Sequence, residues 1–157
     1  MNNVLEGGLF AYVSYLRAMQ LWFHGAHNLT KGTGFAGDHV NLYGMIYNNI
    51  HEELDGALEK AIGLTQSEKV ACPIGVTSSA LEVLNAFPSP SGSSALNIAS
   101  VGLQLELSYL AMVEELYHTL KNSGDLTLGL DDFLMQSANQ HEEYVYLLQQ
   151  RVKSDLN

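Results

Sequence analysis

Apolar residues recur every three or four positions over four long stretches of this chain, and that periodicity restricts the possible folds more than any other feature. No segment shows the alternation of apolar and polar residues that is typical of a strand. The sequence therefore predicts an all-α protein built on four long helices. Their predicted bounds are about Leu9 to Asn28, Gly37 to Ile62, Ala99 to Asn122, and Asp125 or Thr127 to about Lys153.

The connection between the second and third predicted helices is unusually long. It runs from Thr65 to Ile98, contains all three prolines, and leaves room for a short helix over Ser79 to Phe87 with Ser78 or Ser79 as its cap. Gly63 is expected to end the helix before it. A connection of this length needs a reason in a compact domain. A four-helix bundle with one crossover connection provides that reason, because the crossover travels the length of the bundle.

The charge balance limits the partners. The chain carries 17 acidic and 7 basic side chains, a net charge of −10, whereas proteins that bind DNA need Lys and Arg to neutralise phosphates. Residues 1–10 include no basic side chain, so we expect no DNA binding. The chain is 46% hydrophobic and 15% charged, which is typical of a packed globular protein. We expect residues 1–157 to form one domain.

The sequence also bears on the compartment. No unbroken apolar run reaches the roughly 20 residues of a membrane span, and the start of the chain lacks the basic residues of a signal peptide. A single cysteine, Cys72, excludes an intrachain disulfide framework and a cysteine-rich metal site. We therefore expect a soluble cytoplasmic protein with no membrane partner.

Four side chains stand out as candidate metal ligands. His27 lies at the end of the first predicted helix and His39 near the start of the second, while Asp55 and Glu59 lie four residues apart on one face of that second helix. Imidazole nitrogens and carboxylate oxygens suit iron. Each feature also has an ordinary explanation, because a lone histidine on an apolar face is more often a core residue and a pair of carboxylates usually faces solvent.

The order of these residues, with Gly32 and Phe35 between the histidines and Lys60 after the carboxylates, resembles the Dps proteins, the mini-ferritins of the ferritin-like superfamily. The resemblance implies a ferritin-like four-helix bundle that binds iron as Fe²⁺ and Fe³⁺. It also implies a site between two subunits, in which the two histidines of one chain face the Asp and Glu of its two-fold mate. Lys60 stands where the family usually has arginine.

The same resemblance implies an activity and an assembly. Fe(II) would be oxidised at His27, His39, Asp55 and Glu59, with hydrogen peroxide as oxidant, and Fe(III) would be stored inside a hollow homo-oligomer, a dodecamer. These four residues are therefore both the catalytic and the metal-binding residues of a ferroxidase.

The chain departs from the family pattern at three points. Asn28 replaces a tryptophan that follows the first histidine, and Tyr43 replaces an acidic residue that would supply a further oxygen. The interval from His39 to Asp55 is one residue longer than in the family. A π-bulge between Tyr43 and Ile50 would absorb the extra residue. Without one, Glu53 would lie closer to the histidine face and replace Asp55 as ligand.

Three alternatives remain open on the sequence. The first is a di-iron site inside the bundle that uses Glu115 and His118, although no Glu lies three residues before His141 and the first helix has no inward-facing acid after Glu6. The second is a ferritin-like shell with a degenerate metal site and a structural or storage role. The third is a helical-bundle interaction module in which the six histidines are incidental.

Overall fold

The computed structural model describes residues 3–154 and shows only helices and connections in that range. The predicted all-α class is therefore confirmed. The five α-helices of the described range are α1 (Asn3–Leu29), α2 (Met45–Thr65), α3 (Pro73–Asn85), α4 (Ala95–Ser123) and α5 (Leu128–Ser154). A π-helical segment, Gly37–Gly44, precedes α2, and a 3₁₀ turn, Glu68–Ala71, precedes α3.

The long helices form a bundle in which α1 packs against α2, α3 and α4, and α4 packs against α5. Apolar side chains at helical spacing account for this packing, because they give each helix one buried face. The face of α1 carries Leu9, Val13, Leu16 and Phe23, which are all buried. The connection between α2 and α4 contains the short helix α3, so the predicted crossover is confirmed.

Several helices begin or end at capping residues that differ from the predicted ones. Ser94 accepts a hydrogen bond from the Asn97 amide and begins α4 earlier than predicted. Thr127 accepts a hydrogen bond from the Leu130 amide at the start of α5. Gly63 was wrongly predicted to end α2, which continues to Thr65 and ends at Gln66 in the left-handed conformation, with φ of 56°.

The short crossover helix also begins earlier than predicted. It starts at Pro73, which suits the first helical position because a proline there loses no helical hydrogen bond. Cys72, and neither Ser78 nor Ser79, is the residue at its cap. The prediction missed this start because it read the proline as a break.

Helix α4 is long and apolar enough, by length and composition alone, to cross a membrane. The search for an unbroken apolar run did not detect α4, because isolated polar residues interrupt its apolar stretch without lowering its mean hydropathy much. The central helix of a soluble bundle has the same properties, and α4 buries residues from Ile98 to Leu120 against its neighbours. The absence of a membrane partner stays a prediction.

The π-helical segment Gly37–Gly44 overlaps the interval from His39 to Asp55, whose length raised the register question. A π-turn holds one more residue than an α-turn and is therefore the kind of feature that can absorb an extra position. A π-helical element was therefore correctly predicted, but its predicted position between Tyr43 and Ile50 was wrong, because it spans Gly37–Gly44 and the chain is α-helical from Met45.

Candidate functional site

The outer histidine pair consists of His27, in the last turn of α1, and His39, in the π-helical segment. Their rings stack nearly parallel, with 3.7 Å between centroids and 13° between planes. Each ring contacts the other residue's backbone: His39 Nδ1 donates to the His27 carbonyl oxygen at 2.6 Å, and His27 Nδ1 donates to the His39 carbonyl oxygen. Both side chains are half-buried, so the pair has one side open to solvent.

These reciprocal hydrogen bonds fix the protonation pattern of both rings. A carbonyl oxygen can only accept, so the Nδ1 atom of each ring must carry the hydrogen. In the neutral imidazole, Nε2 then keeps its lone pair. Metal-bound histidines usually have this second-atom support, which orients the ring and raises its basicity. The outer histidine pair therefore offers two oriented nitrogen donors.

Gly44 makes the contact between the two histidines possible. A Cβ atom at this position would lie 2.6 Å from the His39 carbonyl oxygen and 3.0 Å from His27 Nδ1. Any side chain here would push the ring away from the carbonyl group. The π-helical segment thus supplies both the exposed carbonyl group and the space in front of it.

Aromatic rings support the outer histidine pair on both sides. Phe35 stacks on His39 with 4.9 Å between centroids, and Tyr47 lies 5.1 Å from His27. His24, one turn earlier on α1, stacks on Tyr47 at 4.6 Å. These contacts limit the rotation of the two imidazoles and hold their planes fixed.

The predicted carboxylate ligands lie elsewhere on the same chain. Asp55 and Glu59 are exposed on the outward face of α2. Tyr43 is buried and stacks on Phe23, so it supplies no oxygen at the histidine pair. Lys60 lies over the Phe133 ring, with Nζ 5.7 Å from its centroid. Within residues 4–153, no group of three or more His, Cys, Asp and Glu side chains is arranged to hold a metal ion.

A second polar group, the inner centre, lies inside the bundle. It consists of Glu53 on α2, Glu106 on α4 and His141 on α5. His141 Nδ1 lies 2.6 Å from Glu106 Oε2, and His141 Nε2 lies 2.8 Å from Glu53 Oε2. The side chains of His141 and Glu106 have no exposed surface, and that of Glu53 is 15% exposed.

Hydroxyl groups surround the other oxygen of Glu53. Ser137 donates to Glu53 Oε1, and the Tyr109 and Tyr12 hydroxyls lie 3.2 and 3.4 Å from the same atom. The Ser137 and Tyr109 oxygens are themselves 2.5 Å apart. The buried charge of Glu53 is therefore satisfied by hydroxyl groups from three other helices, α1, α4 and α5, as buried polar groups require.

The pKa values of the inner centre reflect burial and charge together. Burial alone would lower the pKa of His141, but the adjacent carboxylates, Glu106 first, raise it to about 9. Burial would raise the pKa of Glu53, but the hydrogen bond and charge of His141 lower it. The pKa of Glu106 is raised, because its complete burial outweighs the attraction of His141.

A cleft of about 440 Å³ between α2 and α5 leads from solvent to this centre. Its lining combines the rings of Phe133 and Tyr144 with polar side chains, which include Glu53, Ser137, Asn49, Gln136 and Gln140. The cleft explains the small exposed fraction of Glu53. His141 and Glu106 lie deeper and have no exposed side-chain surface.

The structure bears on two alternatives that the sequence left open in this region. Glu115 and His118 do not form an intrabundle site, because both are exposed; the side chain of His118 is 62% exposed and lies near Glu114. Glu53 does not replace Asp55 beside the outer histidine pair, because its carboxylate points into the bundle. Their three-residue spacing does place Glu115 and His118 on one face of α4, but that face points to solvent and not into the bundle.

Sequence reasoning missed the inner centre although a signal was present. The buried positions of α5 follow a spacing of three and four residues, and His141 occupies one of them. Glu106 likewise falls between Gly102 and Tyr109 on the buried face of α4. A lone polar residue on such a face indicates a buried polar partner. The full sets are Leu134, Ser137, His141, Tyr144 and Leu148 on α5, and Gly102, Glu106, Tyr109 and Val113 on α4.

Comparison with solved structures identifies the fold. The Dps protein from Bacillus brevis superposes with a TM-score of 0.81 and 17% identity, covering 96% of this chain and 95% of that one. Dps from Staphylococcus aureus gives 0.79 and 18%, with 94% of both chains covered. The Dps protein from Vibrio cholerae O1, described as a ferritin-like diiron-carboxylate protein, gives 0.77 and 14%, covering 94% and 88%.

No protein-family model and no curated protein sequence matches the chain. The structural likeness nevertheless extends over almost the whole of both chains. The fold is a ferritin-like four-helix bundle with a long crossover. More narrowly, it is the fold of the Dps proteins, as the order of residues between His27 and Lys60 predicted.

Proposed function

We propose that this protein is an iron-binding mini-ferritin that oxidises Fe(II), with hydrogen peroxide as oxidant, and stores the Fe(III) product. The outer histidine pair supplies two nitrogen ligands. Asp55 and Glu59 from a second copy of the chain supply the carboxylate oxygens. Nitrogen and oxygen donors of this kind bind Fe(II) and also stabilise Fe(III) after oxidation.

The observation that carries this proposal is the reciprocal hydrogen bonding of His27 and His39. If the two histidines were incidental, reciprocal hydrogen bonds from each ring to the other residue's backbone would not be expected. Here each ring uses one nitrogen to orient the other.

The register of α2 supports the assignment of the carboxylates. A π-turn holds one more residue than an α-turn, so the π-helical segment Gly37–Gly44 supports a register in which Asp55 and Glu59 match the carboxylates of the family pattern. Both are exposed and therefore available to a partner chain. A ligand set divided between two chains exists only in an assembly, so the proposal includes a homo-oligomer, and we favour a dodecamer.

The remaining features agree with such a protein in a soluble compartment, which we propose to be the cytoplasm. The net charge of −10 favours cations over nucleic acids. Carboxylates on the inner surface of a shell would give oxidised iron a place to mineralise. We propose no DNA binding.

The direct test is anaerobic loading of Fe(II) followed by addition of hydrogen peroxide, with oxidation followed by absorbance. The parent protein should oxidise iron quickly, and a His27→Ala/His39→Ala variant should not. An Asp55→Asn/Glu59→Gln variant should lose the same activity while keeping both histidines. Equal rates in the parent and the histidine variant would refute the proposed site.

A shell with a degenerate site is the second candidate, and one observation favours it. Tyr43, at the position of an additional acidic ligand in the family pattern, lies in the core against Phe23 and offers no oxygen to the metal. If the parent assembles into a shell but oxidises no iron above the rate in buffer, this structural or storage role replaces the ferroxidase.

A further inference from the structure

The inner centre contains the residue types of a metal site, two glutamates and a histidine, but their arrangement differs from that of a metal site. Its three members come from three helices and meet inside the bundle, at the kind of position where four-helix bundles hold metal ions between carboxylates and histidines. In a metal site the ligand atoms point toward a common empty point. Here the ring of His141 itself lies between Glu53 and Glu106.

Both ring nitrogens of His141 are in use. One lies 2.6 Å from an oxygen of Glu106 and the other 2.8 Å from an oxygen of Glu53. An ionised carboxylate only accepts hydrogen bonds, so each nitrogen facing one must carry a hydrogen. A ring with hydrogens on both nitrogens is a cation and has no lone pair to give to a metal ion.

The electrostatics of the inner centre lead to the same conclusion. Two carboxylates buried together repel each other and need a positive charge within a few ångströms. Among residues 4–153, His141 is the basic side chain that contacts both of them. The other groups at the inner centre are the hydroxyls of Ser137, Tyr12 and Tyr109. They donate hydrogen bonds to the carboxylate or to one another, but they are neutral and supply no positive charge.

We propose that the imidazolium of His141 takes the place of a metal cation in this bundle, holding Glu53 and Glu106 together by charge, so that the inner centre binds no iron in the parent protein. This inference concerns the interior alone and does not depend on whether the outer histidine pair oxidises iron. It predicts that removal of the ring converts the centre into a metal site.

Glu106 Oε1 is already positioned to act as a metal ligand once the ring is removed. Glu106 Oε1 is buried and has no hydrogen-bond partner among the described residues. Without the ring, this oxygen, Glu106 Oε2 and Glu53 Oε2 would face a space left by the imidazole. Oxygen donors of this kind suit Mn²⁺, which binds carboxylates without requiring a histidine.

The first experiment measures the ring nitrogens of His141 in the ¹⁵N-labelled full-length protein by long-range ¹H–¹⁵N correlation NMR. The spectrum of His141→Gln assigns the signals. Two protonated nitrogens at neutral pH, unchanged when Zn²⁺ is added, would support the inference. One unprotonated nitrogen, or a shift of the His141 signals on Zn²⁺ addition, would overturn it.

The second experiment uses the His27→Ala/His39→Ala background, so that the outer histidine pair cannot bind metal. Mn²⁺ should leave the Tm of this background unchanged and raise the Tm of the same protein carrying His141→Ala, since a ligand that binds only the folded state stabilises it. If the His141→Ala protein does not fold alone, folding on addition of Mn²⁺ gives the same answer.

A matched control adds Glu53→Gln and Glu106→Gln to the His141→Ala protein. It removes the charges that would bind the cation and should abolish the response to Mn²⁺. Stabilisation of the His27→Ala/His39→Ala background itself by Mn²⁺, lost on Glu106→Gln, would show that the interior already binds metal and would overturn the inference. An absence of response in the folded His141→Ala protein would also count against it.

Discussion

The outer histidine pair and the inner centre use the same side chain in opposite ways. At the surface, His27 and His39 each donate from Nδ1 to a backbone carbonyl oxygen, and within residues 4–153 neither Nε2 faces a carboxylate. In the interior, His141 meets a carboxylate at each nitrogen and keeps neither free. The partner of the second nitrogen therefore decides whether a histidine is a metal donor or a buried cation.

The difference has a physical origin. A backbone carbonyl group carries no net charge, so it orients a neutral ring without protonating it. Two carboxylates in a buried environment stabilise the protonated ring, and their attraction outweighs the cost of burying its charge. A surface histidine with a carboxylate at each ring nitrogen would likewise have no lone pair left for a metal ion.

The largest expected effect comes from breaking the inner centre. His141→Gln leaves two buried carboxylates without a counter charge and should lower the free energy of unfolding by about 3–5 kcal/mol. Urea unfolding measures it. His118→Gln, at an exposed histidine, is the control and should change stability by less than about 0.5 kcal/mol. Similar losses in both variants would show that the inner histidine is no more important than a surface one.

The pH dependence of stability should separate the two regions next. The folded-state pKa of His141 is about 9 against an ordinary value of 6.5, so its contribution is fully present below pH 6.5 and is lost as pH rises through about 9. A loss of a few kcal/mol across this window is expected. The groups that face His141 are Glu53, Glu106, Tyr109 and Tyr144.

Tyr109 and Tyr144 do not interfere with this measurement, because burial raises the pKa of each phenol above its ordinary value. The control is the same titration of His141→Gln, which should show no such loss. A stability that is flat between pH 6.5 and 9 in the parent would contradict the charge assignment of His141.

A smaller effect is expected at the outer histidine pair from Gly44→Ala. The new Cβ would meet the His39 carbonyl oxygen and the His27 ring, so stability should fall by about 1–3 kcal/mol. The affinity for Zn²⁺, measured by calorimetry, should fall with it. Gly63→Ala is the matched control, because a Cβ there meets nothing within 4 Å. It should raise stability by about 0.5–1 kcal/mol.

The smallest effect concerns the aromatic support of the pair. Phe35 is 42% exposed and stacks on His39. Phe35→Leu should cost about 1 kcal/mol or less in stability, and Zn²⁺ affinity should fall less than tenfold. Leu128→Ala, at a side chain that is 90% exposed, is the control and should change neither. A larger loss of affinity than in Gly44→Ala would mean that stacking, and not the carbonyl hydrogen bonds, positions the pair.

Much of the fold could be predicted from the sequence, because helical periodicity and a long connection with prolines are local properties. The bounds were less accurate, since caps such as Ser94 and the left-handed Gln66 depend on single hydrogen bonds and dihedral angles. The π-turn was expected from a one-residue mismatch, but its position was not, and the contact made there between His27 and the His39 carbonyl group is a tertiary one that sequence periodicity does not reveal.

The candidate site divides in the same way. His27 and His39 could be picked out by their spacing, and the structure brings them together. The pairing with Asp55 and Glu59 stays a prediction, because it involves a second chain. Glu106 and His141 were not recognised as partners, because their contact joins helices that are far apart in sequence and neither lies in a recognisable motif.

The most direct test of the whole account is a crystal structure of the assembled protein soaked anaerobically in Fe(II), with anomalous difference density measured at the iron absorption edge. The account predicts density beside Nε2 of His27 and His39, close to Asp55 and Glu59 of a partner subunit, and none inside the bundle. Density between Glu53 and Glu106, with the ring of His141 displaced or bound to the metal, would contradict it.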